Sequence, residues 1–313
     1  MSSVNLYGCG GAGVGLVRNF LKLDKEDQMP DLRILALDTS DANLRTRSGF
    51  NDDDIYLIPG VDGSGKYRVK NFDPIGEHVP SIMLKMKPAD YNIVVYSTGG
   101  GSGSVLGPMI VHEMAKNNIP VISVMIGCGG NKVEAVNNLN TIMTLEGMSC
   151  DLNTNMAACY IDKTEMTAQD GQAMKSIGLL LKLFSGKFEA LDTEDITNWL
   201  YHKVHSNMSD RLNLLKICLS EEDVRGVDTP ISVASLHASR EDPHFDLKSF
   251  YHTHGYGFQS DKTNQMHYCL TEKETDRIID RCKKEVQEYE EIERASIRSR
   301  PDVQPNKAKG FVL

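Results

Sequence analysis

The 313-residue chain contains no Cys-x-x-Cys pair, and its seven cysteines are odd in number. That excludes a disulfide framework or a zinc site built on paired thiols, and suits reduced thiols in a cytoplasm. Net positive charge is lacking as well. The 43 acidic and 34 basic residues leave −9, so bulk charge does not mark a nucleic-acid binder. The first residues, MSSVNLYGCGG, have no basic stretch followed by an apolar one. No apolar run approaches the ~18 residues of a membrane span; the longest, 119–128, reads as a buried strand. His252 and His254, with His244 nearby, lack an acidic or thiol ligand to complete a metal site, and their segment reads as a loop. No protein metal-ligand set is assigned, and no internal repeat is found.

Glycine is present at an ordinary level, 26 residues, but its placement is not ordinary. Sixteen of the 26 fall within 8–15, 60–65, 99–107 and 127–130. Short apolar strands are expected at 3–7, 33–37, 55–58, 92–96, 121–126 and 157–161. Helices are expected over 14–23, 81–87, from 104 through 114, over 133–146 and over 170–184, the last carrying an apolar stripe at 173, 174, 177, 180, 181 and 184. Strands alternating with helices imply a mostly parallel sheet with ligands at the strand C-terminal ends, where all four glycine stretches fall. Beyond, Asp192 or Thr193 is expected to cap a helix carrying Trp199. Strands follow at 212–219, 231–236 and 266–270, then a helix over 272–298 with five glutamates and no base in 285–293.

Three nucleotide readings compete. Gly8-x-Gly10-x-x-Gly13 with Asp38 at the end of the second strand fits dinucleotide binding, hence an NAD(P)-dependent oxidoreductase, but leaves 99–103 unexplained. The stretch from Gly60 to Lys66 fits the P-loop spacing, yet Tyr67 stands where a magnesium-binding hydroxyl belongs. Pro74 is expected to break the helix that a P-loop requires. The third reading uses every loop. Gly99-Gly100-Gly101-Ser102-Gly103-Ser104 joins a strand to a helix, so backbone N–H groups and the helix N-terminus can wrap a phosphate. With the first loop it makes two cradles on neighbouring strands, suited to a triphosphate.

GGGSGS at 99–104 resembles the tubulin/FtsZ signature, and Gly10, Gly11, Ala12 and Gly13 resemble that family's first nucleotide loop. Asp38 and Thr39 open DTSDANL, which is similar to its second loop. Gly63 and Gly65 fall where its third, γ-phosphate-facing loop belongs. The phrase YSTGGGSGSVLGP, the DTSD box and the short length are closest to the phage tubulins of the PhuZ type. The resemblance implies an α/β fold: a Rossmann-like, mostly parallel nucleotide-binding sheet, a central helix, a second smaller α+β domain, and a long C-terminal helix and tail. The expected divisions are 1–169, 170–187, 188–271 and 272–313.

The same resemblance implies GTP/GDP and Mg²⁺ as ligands and a head-to-tail homopolymer in which one subunit's catalytic loop completes the next one's site. Asp192 and Asp195 match that loop's two acids, and carboxylates aimed at a γ-phosphate can orient an attacking water. On residues alone an acidic helix N-terminus is the readier explanation, and it is the resemblance that reverses that order. Ala190 stands where the loop usually has Asn, Gly15 where a base- or ribose-contacting Asn is common, and Val105 replaces the signature's last glycine. Guanine recognition then falls to Asp162 and Asp170, and a ribose contact to Asn131. Lys66 and Arg68 are the cations nearest the third loop. The acidic helix and the tail ending Phe311-Val312-Leu313 are candidate contacts to the next subunit. The biological expectation is a phage GTPase filament in the host cytoplasm that positions phage DNA or its compartment. Phage nucleoprotein or capsids are its candidate cargo, without direct nucleic-acid or membrane contact. A GTP-binding filament without turnover is the other alternative.

Overall fold

The structure, a computed structural model, describes residues 2–22, 29–45, 49–61, 63–202, 211–242 and 247–298. Asp62, His244 and the tail from 299 onward therefore lie outside the described residues. In chain order the elements are β1 (Ser3–Cys9), α1 (Gly10–Val17), β2 (Asp31–Asp38), α2 (Asp41–Arg45), β3 (Ile55–Leu57), α3 (Val69–Lys85) and β4 (Tyr91–Ser97). Next come α4 (Gly103–Lys116), β5 (Val121–Ile126), α5 (Lys132–Leu152), β6 (Met156–Ile161), α6 (Met166–Leu183) and α7 (Thr193–Tyr201). The remainder comprises β7 (Leu212–Cys218), α8 (Glu221–Arg225), β8 (Ser232–His237), β9 (Tyr251–Tyr256), β10 (Gln265–Thr271) and α9 (Lys273–Arg298).

The strands form one sheet in the order β3-β2-β1-β4-β5-β6-β7-β10-β8-β9. Every neighbouring pair is parallel except those of β10, which runs antiparallel to β7 and β8. Both faces are covered, so the strands read as near-continuous apolar runs. Alternate residues choose the face. Leu6, Ile93 and Val95 pack with Ile177, Leu180 and Trp199 of α6 and α7. Tyr7, Val94 and Tyr96 pack with Ile75, Ile110, Ile142 and Ile279 of α3, α4, α5 and α9. The fold is α/β, as expected.

Connections leave β1 toward β2 on one side and β4 toward β5 on the other. Because β1 and β4 are neighbours, the strand order reverses between them, and a crevice opens at their C-terminal ends. Open α/β sheets hold their ligands at such a switch point.

Two local expectations are corrected. The helix expected at 81–87 is the end of α3, which starts at Val69 and contains both Pro74 and Pro80. Pro74 therefore does not break it. Proline removes one N–H, and with Gly76 and Pro80 both exposed, the carbonyl four residues before Pro80 can be met by water. The segment holding His252 and His254 is strand β9, parallel to β8, and not a loop. Its alternate residues His252 and His254 pair with Ser235 and His237 of β8. His254 Nδ1 lies 3.1 Å from His237 Nε2, and Ser235 Oγ lies 2.8 Å from both His252 Nε2 and His267 Nδ1. Among the described residues no group of three or more His, Cys, Asp or Glu has the geometry of a metal site.

His267 is fully buried. Burial first, then the neighbouring His237 and His254, push its pKa down to about 4, with Asp223 opposing. An unfolded chain takes this proton near pH ~6.5 while the folded one refuses it. Stability is thus complete above that pH and falls as the pH drops toward 4, on the order of 1 kcal/mol per unit. Denaturant midpoints recorded from pH 7.5 down should show this slope, and His267→Asn should flatten it. Equal slopes in both proteins would remove His267 as the cause.

Candidate nucleotide site

The crevice is built where β1 hands over to α1 with no intervening residue and β4 to α4 through the five residues 98–102. Gly10, at φ 69°, ends β1 and begins α1 in one step. A Cβ there would lie 2.7 Å from the Gly103 nitrogen, and one on Gly103 would lie 2.7 Å from the Cys9 carbonyl oxygen. The first and signature loops are therefore in backbone contact, which only glycine permits. Neither α1 nor α4 has a side-chain cap at its N-cap residue, Cys9 or Ser102. By contrast α5 and α7 are capped, by Asn131 and Asp192. Two adjacent helix N-termini without side-chain caps form an anion cradle, with N–H groups and dipoles converging on one point. A polyphosphate suits it.

The other loops close around this point. Asp38, almost wholly buried, turns back into its own loop. Its Oδ1 accepts from the Thr39 and Ser40 nitrogens at 2.7 and 3.3 Å, and its Oδ2 from Asn43 Nδ2 at 2.8 Å. Burial raises its pKa, and these hydrogen bonds oppose the rise. Thr39 Oγ1 and Ser102 Oγ lie 2.5 Å apart, tying the second loop to the signature, and the Thr39 carbonyl accepts from the Gly63 nitrogen at 3.2 Å. Gly63 and Gly65 both have positive φ, 70° and 54°. Ser104 Oγ donates back to the Gly100 carbonyl at 2.5 Å.

The glycines do not all serve alike. Gly11 and Ala12 lie in the first turn of α1, with Ala12 exposed. Gly13 is buried, and a Cβ on it would strike the Val95 carbonyl. It seats α1 on β4. Gly99 packs on Cys128 of the fourth loop, whereas Gly100 has only Ser97 within 4 Å. Gly101 lies under Ser64 and Lys66 of the third loop.

The structure also places the three base and ribose candidates. Asn131 Oδ1 accepts from the Glu134 nitrogen at 3.1 Å as the cap of α5. Asp162 follows β6 and pairs with Arg281 of α9. Asp170, in the second turn of α6, is exposed. Gln169 carries no local signal in the sequence; its buried amide donates to the Gly127 and Asp162 carbonyls at 2.8 and 3.0 Å and joins the loops after β5 and β6. Glu134 carries none either; it pairs with Lys66 and accepts from the Gly130 nitrogen at 2.9 Å. Lys66 lowers the pKa of Glu134, which in turn raises that of Lys66. α9 folds back over the fourth loop. Tyr289 donates to the Gly129 carbonyl at 3.0 Å, Glu293 pairs with Lys132, and Glu285 lies 3.8 Å from Lys163. Part of the acidic 285–293 face is thus held against the chain's own body.

Asp192 and Asp195 lie at the other pole. They form a reciprocal capping box: Asp192 Oδ1 accepts from the Asp195 nitrogen at 2.9 Å, and Asp195 Oδ2 from the Asp192 nitrogen at 3.1 Å. Tyr251 donates to Asp195 Oδ1 at 3.1 Å. Burial, then Asp195, pushes the Tyr251 phenol up to about 12. Tyr91, the first residue of β4, is held above its usual pKa by burial, with Thr193 hydrogen-bonded to it and Asp192 and Asp195 close by. The acids therefore sit at the start of β4, while the signature loop follows its end. Seven residues of strand separate the two, roughly 20 Å at ~3.3 Å per residue. Just before them, Ala190 has φ 60°, a region that asparagine or glycine occupies more readily.

Comparisons with known proteins agree with this architecture. A family profile described as phage tubulin-like protein, C-terminal domain, matches residues 191–272. The chain is 34% identical over 243 residues to a phage tubulin-like protein of Pseudomonas phage PhiPA3, covering 75% of this chain and 74% of that one. It is 29% identical over 258 residues to one from Pseudomonas phage phiKZ, covering 77% and 75%. A protofilament structure of TubZ from bacteriophage PhiKZ superposes with a TM-score of 0.85 at 26% identity over 99% of both chains. A GDP-bound structure of the phage tubulin PhuZ superposes with a TM-score of 0.85 at 21% identity, again over 99% of both chains.

Proposed function

This chain belongs to the phage tubulin-like proteins, and from that membership we propose that it is a GTPase that assembles head to tail into filaments. One observation carries the reading: the phosphate cradle and the paired acids Asp192 and Asp195 occupy opposite poles of one sheet. Acids so placed cannot reach a nucleotide bound in their own chain, but a copy stacked in the same orientation brings them over its neighbour's cradle. Repetition of one head-to-tail contact makes an open polymer.

In this reading residues 1–169 bind the nucleotide, 170–187 link, 188–271 supply the catalytic loop and 272–313 the C-terminal helix and tail. The backbone of Gly10–Ala12 and Gly100–Ser104 holds the phosphates, with Gly63 and Gly65 over their far end. Gly13 and Gly99 keep these loops seated. Asp162 and Asp170 flank the approach to the base, and Asn131 holds the fourth loop beside the ribose. Asp192 and Asp195 of the adjoining copy orient and polarise the attacking water. Mg²⁺ bound with the triphosphate would neutralise phosphoryl charge. The family points to a filament working in the cytoplasm of an infected bacterium, positioning phage DNA, nucleoprotein or capsids. Among the described residues no helix is long and apolar enough to cross a membrane.

An oxidoreductase would need Asp38 to face a ribose, and its carboxylate is committed to its own loop. Light scattering with GTP, GDP and NADH in turn, alongside phosphate release, tests the proposal. The expected result is scattering with GTP alone that decays as phosphate appears. Stable scattering would mark a filament that binds without turnover, and no scattering would overturn the reading.

A further inference from the structure

Asp195 takes a different donor on each carboxylate oxygen. Oδ2 accepts from the Asp192 nitrogen at 3.1 Å and belongs to the capping box. Oδ1 accepts from the Tyr251 hydroxyl, also at 3.1 Å, and Tyr251 lies 56 residues further along the chain, at the start of β9. A carboxylate held through one oxygen keeps a broad terminal torsion. A second bond, to the other oxygen, fixes its plane, so the two donors together aim Asp195.

Tyr251 is itself held. Asn198, one turn after Asp195 on α7, and Thr253 of β9 are hydrogen-bonded to it, and its raised pKa leaves the phenol a neutral donor. The segment 189–195 lies along β9 at the edge of the sheet. Glu189 and Tyr256 exchange backbone hydrogen bonds of 3.0 Å, and a Cβ on Gly255 would lie 3.0 Å from Leu191 Cδ2. Tyr251 closes the other end of that contact. Among the described residues no cation pairs with Asp192 or Asp195. A neutral donor thus fixes the carboxylate without cancelling the charge that orients a water.

We propose that Tyr251 is a positioning residue for GTP turnover, aiming Asp195 at the water that attacks the nucleotide of the adjoining copy. The proposal rests on the head-to-tail GTPase reading above. A group that acts through its placement loses rate when the placement loosens, and a misplacement of about 1 Å costs on the order of 100-fold. Losing one of two donors costs less, about 10-fold, because the capping box still holds Oδ2. Tyr251 stands at the pole of the acids, a strand length from the cradle, so nucleotide binding does not depend on its hydroxyl.

Tyr251→Phe keeps the ring and removes only the hydroxyl. At saturating GTP its filaments should release phosphate about 10-fold more slowly, while the GTP concentration for half-maximal rate and the critical concentration for assembly stay within about twofold. Because the hydroxyl acts through Asp195, adding Tyr251→Phe to Asp195→Asn should slow turnover by less than about twofold more. A role in packing alone gives the opposite pattern, a raised critical concentration and an equal loss in both backgrounds. Turnover at the unaltered rate in Tyr251→Phe, or a full further loss of about 10-fold in the double variant, would overturn the proposal. No GTP turnover by the unaltered protein would strike the GTPase reading, and this assignment with it.

Discussion

Asp195→Asn is expected to slow GTP turnover by about 100-fold or more while filaments still form. Removing one group that acts on the reacting centre costs an enzyme on the order of 10²–10³ in rate. Stability is a separate matter, because Asp195 also serves its own helix as the third residue of a capping box and as acceptor for Tyr251. Asparagine keeps one oxygen for the Asp192 nitrogen, and its amide nitrogen, in the place of the other, can donate to the Tyr251 hydroxyl. At Asp192, Asn caps a helix as well as Asp does. Asp192→Asn and Asp195→Asn should therefore unfold within about 1 kcal/mol of the unaltered protein, and their lost turnover reports chemistry. Asp195→Ala removes the box and the Tyr251 partner as well, adding a stability cost of about 1 kcal/mol. Phosphate release, GTP-triggered scattering and a denaturation midpoint, measured together on each variant, separate the two effects. Phosphate release at the unaltered rate in Asp195→Asn filaments would remove the assignment.

What the chain shows by itself follows from how local each constraint is. The glycine loops were legible because close backbone approach and positive φ exclude other residues, so position alone records the geometry. The strands were legible because a sheet covered on both faces leaves apolar runs. The start of α3 was hidden by Pro74, which a local rule treats as a break, and the packing of Ile75, Val79 and Ile82 outweighs the lost hydrogen bond. β9 was hidden because its alternating residues are histidines, whose partners His237 and Ser235 lie on another strand. Long-range pairs left no local trace. Nothing near Lys66 announces Glu134, and nothing near Asp195 announces Tyr251. The acidic stretch of α9 gives in sequence only a candidate contact to the next subunit, with no sign of its partners within the chain. Tyr289 and Glu293 engage the fourth loop and α5, which decides for packing on that side. The opposition of cradle and acids needed the topology, since only the position of β4 shows that Tyr91 and Gly101 are a strand length apart.

That opposition leads to the second large effect. Gly103→Ala is expected to weaken GTP and GDP binding by about 100-fold or more, because the added methyl would lie 2.7 Å from the Cys9 carbonyl oxygen and 3.6 Å from the Gly10 Cα. Both are backbone atoms with no rotamer to yield, so the two helix N-termini must move apart, and the hydrogen bonds they offer one polyphosphate cannot all be kept. Alone, this variant should neither bind nor hydrolyse, and Asp195→Asn should bind without hydrolysing. Mixed, they should recover turnover. The Gly103→Ala copy carries intact acids, the Asp195→Asn copy an intact cradle, and a head-to-tail contact joins one to the other. One pairing in four of an equal mixture joins an intact cradle to intact acids, and contacts over an empty cradle do not form, so phosphate release should return to at most about a quarter of the unaltered rate. Acids that served the nucleotide of their own chain would leave every copy in the mixture inactive. A mixture with no more turnover than its parts would refute a site shared between copies, even if each single variant behaved as expected.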